Sequence, residues 1–436
     1  MASLIHAPSR RELLLSSGVL FAWACLPKLA HAEGRDPRLL VIILRGALDG
    51  LAAVVPVGDP EWTRLRGDKA LTLAAGPQGA PPALPLDAMF ALNPAMPNLQ
   101  RMYRAGQATI VHAVASPYRE RSHFDGQDVL ESGLERPGAA DSGWLNRALA
   151  GLASAGQVSP KGREAFAVGP VTPLVVRGAA PVMSWTPAHL PPPSDDTVMR
   201  LLTLYRHTDP ALARVLEERM DLAAIARASG MDQPAMPAQA ASTAQPATTP
   251  PAGQTPPVQR PGAAQRKYFA DAAGAAASFL ARPDGPRIGA LSFDGWDTHQ
   301  DEGAANGRLA VLLGALDGAL AAAETNMGAA WGETVVAVVT EFGRTARING
   351  TEGTDHGTAT IALLAGGALK GGRVIADWPG LKDADLYQGR DLKPTTDLRA
   401  VLKGVLRDHV RVDEKALANV VFPGSGDLKP MGGLIA

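Results

Sequence analysis

Carboxylates and imidazoles gather at two places in this chain, each just past an apolar run. Residues 288–293 are followed by Asp294-Gly295-Trp296-Asp297-Thr298-His299, and residues 335–339 by Thr340-Glu341-Phe342-Gly343-Arg344. Shortly beyond stands Gly353-Thr354-Asp355-His356-Gly357. Asp297 and His299 lie two apart, so an extended segment turns both toward one side, as chelation requires. Asp355 and His356 are adjacent and reach one ion only from a loop or a strand end. Mixed carboxylate and imidazole ligation suits a divalent cation such as Zn²⁺, Mn²⁺, Mg²⁺ or Ca²⁺. One such pair alone reads more simply as a salt-bridged surface turn. Two pairs, each beyond a core strand, favour a metal centre.

A second constellation is Arg119-Glu120-Arg121-Ser122-His123-Phe124-Asp125, ahead of a helical stretch at 126–132. Ser122 and Asp125 have the spacing of an N-cap and its N3 carboxylate, which predicts a capping box. The same geometry sets a hydroxyl at a helix N-terminus beside Arg119, Arg121 and His123, where an anion is welcome. The two readings are compatible. Asp49, in Arg45-Gly46-Ala47-Leu48-Asp49-Gly50, follows another apolar run. Glycine lets the backbone turn tightly there, so Asp49 either points into a cleft or is a turn residue.

These residues need a scaffold. The continuous apolar run at 39–44 suits a central strand buried on both faces. Residues 108–114, 288–293, 335–339, 361–364 and 373–376 read as further strands. Helices are predicted over 195–228 and 307–323 and after Asp397, which with Thr396 caps the last one. Together they predict an α/β fold with a central, mostly parallel sheet flanked by helices, whose ligands bind beyond the carboxyl ends of the strands. Residues 229–265 collapse into Ala, Pro, Gln and Thr, a composition that reads as a disordered surface insertion.

The opening Ser9-Arg10-Arg11, an uncharged apolar stretch and Ala30-His31-Ala32 describe a secretory signal of the twin-arginine type, residues 1–32. The apolar stretch is too brief to cross a bilayer comfortably. The expectation is a single domain over 33–436, exported already folded by the twin-arginine machinery. It would be periplasmic or secreted, with no stable membrane span after cleavage. The one cysteine, Cys25, falls in the segment expected to be removed, which leaves neither disulfides nor thiolate metal sites. A net charge of −1 offers no general pull on nucleic acid, and 5% aromatic content argues against a base-stacking platform.

Read together, Leu44-Arg45-Gly46-Ala47-Leu48-Asp49-Gly50, Arg121-Ser122-His123-Phe124-Asp125, Gly143-Trp144-Leu145-Asn146-Arg147, Trp296-Asp297-Thr298-His299, Glu341-Phe342-Gly343-Arg344, Thr354-Asp355-His356-Gly357 and Pro394-Thr395-Thr396-Asp397 resemble the exported bacterial family DUF1501. That family is similar to the alkaline phosphatase and sulfatase superfamily. The resemblance implies an alkaline phosphatase-like fold with a divalent metal and a nucleophile at a helix start. It implies Asp49, Asp297, His299, Asp355 and His356 as ligands, with Glu341 standing where the superfamily usually has an Asp-His pair. Ala115-Ser116-Pro117-Tyr118-Arg119 resembles the sulfatase signature, but Ala115 occupies the position of the residue converted to formylglycine. Ser122, ahead of Ser116, is then the expected nucleophile, with Arg119 or Arg121 holding the transferring group and His123 shuttling a proton. The expected activity is hydrolysis of phosphate or sulfate esters, on a small molecule or a surface polymer. The alternative is a non-catalytic exported protein that keeps its metal for binding or assembly.

Overall fold

The computed structural model describes residues 35–436 apart from 77–78, 139, 155–164, 169–171, 186–194, 211, 215, 218–261 and 284. The signal segment 1–32, and residues 229–261 of the expected insertion, lie outside the described residues. The last residues assigned to that insertion, Ala263 to Gln265, instead begin the helix Ala263–Ala281. Alanine has the highest helix propensity, so an alanine-rich stretch continues readily into a helix once one face is buried.

Among the described residues twelve strands follow in chain order: β1 (Arg38–Leu44), β2 (Val54–Val55), β3 (Leu84–Pro85), β4 (Ala91–Leu92), β5 (Ala108–Ala115), β6 (Ala165–Val168), β7 (Val182–Trp185), β8 (Ile288–Phe293), β9 (Thr334–Thr340), β10 (Thr360–Ala365), β11 (Arg373–Ile375) and β12 (Thr396–Asp397). Nine of them make one sheet, ordered β11-β5-β10-β9-β1-β8-β6-β7 with β12 on β5. The pairings of β1 with β8 and β9, β6 with β7 and β8, and β11 and β12 with β5 are all parallel. Only β10 runs the other way, antiparallel to both β9 and β5. The mostly parallel α/β sheet expected from the sequence is therefore present, with one reversed strand inside it.

The apolar runs lack polar alternation because both faces of the sheet are covered. In β1, Leu40, Ile42 and Leu44 join one core cluster, while Leu39, Val41 and Ile43 join the other. β9 divides likewise: Val336 and Val338 face the first cluster, Val335, Ala337 and Val339 the second. Burying a Leu, Ile or Val side chain contributes roughly 1.5–3 kcal/mol, so β1 alone supplies on the order of 10 kcal/mol, the scale of a whole domain's net stability.

The first cluster lies under the helices Pro97–Arg104, Ala263–Ala281 and Arg308–Met327. The last of these is long and apolar enough to cross a membrane by composition. Its Leu309, Leu312, Leu313, Leu316 and Leu320 are buried in the core, which accounts for that composition. The second cluster lies under the helices Trp144–Ser154 and Leu398–Val405. Asp397 caps the latter as expected, accepting from Arg399 N at 2.8 Å. The helix predicted over 195–228 is described as Asp195–Thr208, and residues 218–228 fall outside the described residues.

Candidate metal centre

Parallel strands β1, β5, β8 and β9 end at one rim of the sheet, and the reversed β10 begins there. His123 opens the helix His123–Ser132 beyond β5. Asp297 and His299 follow β8, Glu341 and Arg344 follow β9, and Asp355 and His356 precede β10. Gly46, at the turn after β1, has φ +117°, and a Cβ on it would come within 2.5 Å of Asp297 N. Only glycine allows that approach, which sets the turn of β1 directly against the Asp297 peptide.

Ring nitrogens and carboxylate oxygens converge in the space these loops enclose. His123 Nε2 lies 2.9 Å from His356 Nε2 and 3.5 Å from Asp297 Oδ2. His356 Nε2 is 3.2 Å from Asp297 Oδ1. His299 Nε2 comes in beside His356, 3.0 Å from its Nε2 and 3.1 Å from Asp297 Oδ1. Donor atoms of His123, Asp297 and His356 all lie within 4.8 Å of one another, a group able to hold a metal ion. Zinc–nitrogen bonds of about 2.0–2.1 Å place tetrahedral ligand atoms about 3.3 Å apart, close to the separations seen here. The cluster is open to solvent: side-chain exposure is 15% for His123, 26% for His356, 39% for Asp297 and 42% for His299.

The decisive feature lies behind the rings. His123 Nδ1 faces Glu341 Oε1 at 2.8 Å, His356 Nδ1 faces the Arg121 carbonyl at 3.0 Å, and His299 Nδ1 faces Asp355 Oδ1 at 3.3 Å. An ionised carboxylate or a carbonyl can only accept, so each Nδ1 must carry the hydrogen. In the neutral ring that leaves the Nε2 lone pair, and all three lone pairs point into the same space. Such an outer ring of oxygens is how metal-binding imidazoles are oriented and made more basic. Arg121 adopts φ +59° to present its carbonyl, an unusual conformation for a residue other than glycine.

Electrostatics follow from this arrangement. Burial disfavours a charged His123, but hydrogen bonds and charge from Asp297 and Glu341 outweigh it and push its pKa up to about 9. Burial would raise Glu341, yet His123 and Gln127 hold it down at about 2. Burial acts against Asp297 too, and His123, His356 and Arg344 keep its carboxyl far below the usual range. Arg344 is buried, with Nη1 donating to Asp297 Oδ1 at 2.5 Å and Nε to Thr354 Oγ1 at 3.1 Å. It occupies Oδ1 and leaves Oδ2 turned toward His123.

The family described as "Protein of unknown function (DUF1501)" matches residues 36–421. The chain belongs to DUF1501. No curated protein matches it. The resemblance drawn from the scattered motifs is thus correct at the level of the family.

Several residues expected in the site have other work. Asp49 does not reach the cluster. It caps the short helix Gly50–Ala53 through Leu51 N and Ala52 N, and both its oxygens pair with buried Arg66, at 2.6 and 3.1 Å. Glu341 and Asp355, expected as ligands, stand behind His123 and His299 instead. Glu341 Oε1 is further occupied by Gly46 N and Gln127 Nε2, each at 2.9 Å. Asp355 Oδ1 accepts from Asn349 Nδ2 at 3.0 Å.

Neither arginine of the Arg119–Arg121 loop is poised to hold an anion. Arg119 donates to the carbonyls of Ser116 and Tyr118, while Arg121 pairs with buried Asp391 at 2.7 Å. His123, expected to move a proton, is one of the three residues placed to hold a metal ion. The capping box is also absent. Tyr118 Oη sits 3.2 Å from both Ser122 N and Asp125 Oδ2, so the tyrosine takes the box's place and Ser122 Oγ caps nothing. Ser116 Oγ donates to the Glu341 carbonyl at 3.3 Å.

Arg344 and Gln127 are the site residues the sequence left without a role. The signal for Arg344 was its place in the Glu341-Phe342-Gly343-Arg344 motif. Gln127 is four residues past His123, on the same helix face.

Proposed function

We propose that this chain is an exported, metal-dependent hydrolase of phosphate or sulfate esters. The single observation behind this reading is the convergence of three Nε2 lone pairs with Asp297 at a solvent-open strand rim, beside a serine that its helix does not use. The donor set fits a divalent ion: His123, His356 and Asp297 would hold it, with His299 as the neighbouring donor. Three imidazoles favour Zn²⁺ over the oxygen-seeking Mg²⁺ and Ca²⁺. A divalent ion bound there supplies Lewis acidity and neutralises charge on a transferring phosphoryl or sulfuryl group.

The chain's own residues supply the rest. Ser122 Oγ stands at the N-terminus of a ten-residue helix, where backbone N–H groups and the helix dipole favour an anionic ester. It is the candidate nucleophile. Glu341, the Arg121 carbonyl and Asp355 keep the rings from turning away, and Arg344 fixes the pitch of Asp297. The exposure of Asp297 and His299 suits an ester carried by a small molecule or projecting from a surface polymer. An alkaline phosphatase-like arrangement of the sheet is part of the same proposal, as are the cleaved signal at 1–32 and a periplasmic or secreted destination.

The test is turnover of an aryl phosphate and an aryl sulfate with added Zn²⁺, Mn²⁺ or Ca²⁺, comparing the native chain with Ser122→Ala. Loss of turnover with the ion still bound supports the serine. Undiminished turnover in Ser122→Ala removes it from the mechanism. One observation favours a second reading, a non-catalytic metal-binding or assembly protein: both loop arginines are already spoken for, by carbonyls and by Asp391. Stoichiometric metal with no turnover across mono- and diesters would select that reading.

A further inference from the structure

His356 is oriented by a contact that its own chain segment does not supply. Its Nδ1 faces the Arg121 carbonyl at 3.0 Å, and Arg121 presents that carbonyl from φ +59°. A non-glycine residue in the left-handed region is held there by its surroundings, because relaxation to the ordinary regions is downhill. What holds Arg121 is its side chain. Nε donates to Asp391 Oδ2 at 2.9 Å, and Nη2 lies 2.7 Å from the same oxygen and donates to Gln388 Oε1 at 2.7 Å. Gln388 is itself at φ +55°, so two strained residues meet in one contact. The guanidinium also lies over the Tyr387 ring, 5.9 Å from its centre.

Asp391 is fully buried. Its Oδ2 accepts from Thr358 Oγ1 at 2.7 Å as well, and Thr358 is two residues past His356. Arg390, next to it, donates through Nη2 to the His356 carbonyl at 2.8 Å. One carboxylate oxygen therefore ties the segment that carries the carbonyl to the segment that carries the ring. Charge-assisted hydrogen bonds of this kind are short and directional, which suits an anchor.

We propose that Asp391 is a positioning residue of the metal centre. Fixed by Thr358, it holds Arg121 in its left-handed conformation, and the Arg121 carbonyl then keeps the His356 ring turned so that Nε2 faces His123 and Asp297. The inference rests on the metal centre proposed above and not on ester hydrolysis. It also gives work to a guanidinium that is not available to an anion.

Two measurements on the full-length protein separate positioning from general stability: Zn²⁺ affinity by competition with a chromogenic chelator, and the visible absorption of the Co²⁺ form. Asp391→Asn keeps the side-chain volume and removes the charge. It should weaken Zn²⁺ roughly tenfold and alter the Co²⁺ spectrum, as loss of support behind a ligand does. Arg121→Ala removes the partner that is partly open to solvent, should act likewise, and covers the case in which Asp391→Asn fails to fold. Because the two residues act in one chain of contacts, the double variant should bind no more weakly than the weaker single one. Asp317→Asn is the control: that buried carboxylate accepts from Leu99 N at 2.8 Å, at the start of the helix Pro97–Arg104. It should lower stability and leave Zn²⁺ affinity and the Co²⁺ spectrum native. Native affinity in folded Asp391→Asn or Arg121→Ala, losses that multiply in the double variant, or an equal loss in Asp317→Asn would each overturn the proposal. A native chain that binds no stoichiometric metal would remove the metal centre itself, and this inference with it.

Discussion

Glu341 Oε1 lies 2.8 Å from His123 Nδ1, on the far side of the ring from Asp297 and His356. A carboxylate in that position orients a ligand without touching the ion. Glu341→Gln should therefore weaken Zn²⁺ or Co²⁺ binding by roughly 10–100-fold and leave the stoichiometry unchanged. Metal titration followed by Co²⁺ absorption measures both. Complete loss of the ion in this variant would return Glu341 to the ligands.

Asp297 and Asp355 offer the matching contrast. Asp297→Asn removes a donor from the cluster and should abolish stoichiometric binding. Asp355→Asn only loosens His299 and should cost about tenfold in affinity or less. Equal losses in the two variants would place both carboxylates on the ion.

Asp49 tests the alternative to ligation directly. Its pair with Arg66 is almost fully buried, so Asp49→Ala leaves the buried guanidinium without the carboxylate it is hydrogen-bonded to. Unfolding free energy should fall by about 3–5 kcal/mol. Metal content of the folded fraction should stay at the native value. A stable variant that has lost its metal would contradict this assignment.

His112 predicts how the fold responds to acid. It is fully buried between Phe90 and Trp378, with Nε2 donating to Val54 O at 3.0 Å and Nδ1 accepting from Ala113 N at 2.8 Å. Burial lowers its pKa to about 4. The folded state holds the neutral ring while the unfolded chain takes up a proton near 6.5, so the contribution is complete above that pH. It is lost as pH falls toward 4, by about 3 kcal/mol in full. Urea unfolding at pH 7 and pH 4.5 should show His112→Gln declining less than the native protein, by roughly 2–3 kcal/mol. Parallel declines would mean that another group dominates.

Much of the architecture was legible because hydrophobic runs such as 39–44 and 335–339 leave few alternatives to strands buried on both faces. The pairs Asp297/His299 and Asp355/His356 also lie in loops that the structure brings together at one rim. What sequence could not resolve was rank within the site. Glu341 and Asp355 sit as close in the chain to the rim as the candidate ligands do, and only the direction each side chain takes separates a candidate ligand from its support. Asp49 misled for a related reason: a carboxylate after a strand caps a helix turn as naturally as it binds a cation. The displacement of the Ser122/Asp125 box depended on Tyr118 folding back over the helix start, a contact that no spacing rule encodes. The reversed direction of β10 was equally hidden, since its apolar run reads the same in either sense.

That reversal has an engineering consequence. Because β10 returns along β9, a single excursion from 341 to 359 both leaves and re-enters the interior of the sheet at one rim, carrying Glu341, Arg344, Asp355 and His356 as a contiguous cassette. An adjacent antiparallel strand pair elsewhere could accept that cassette whole at its strand ends. Two further segments, bearing His123 and Asp297, would complete it.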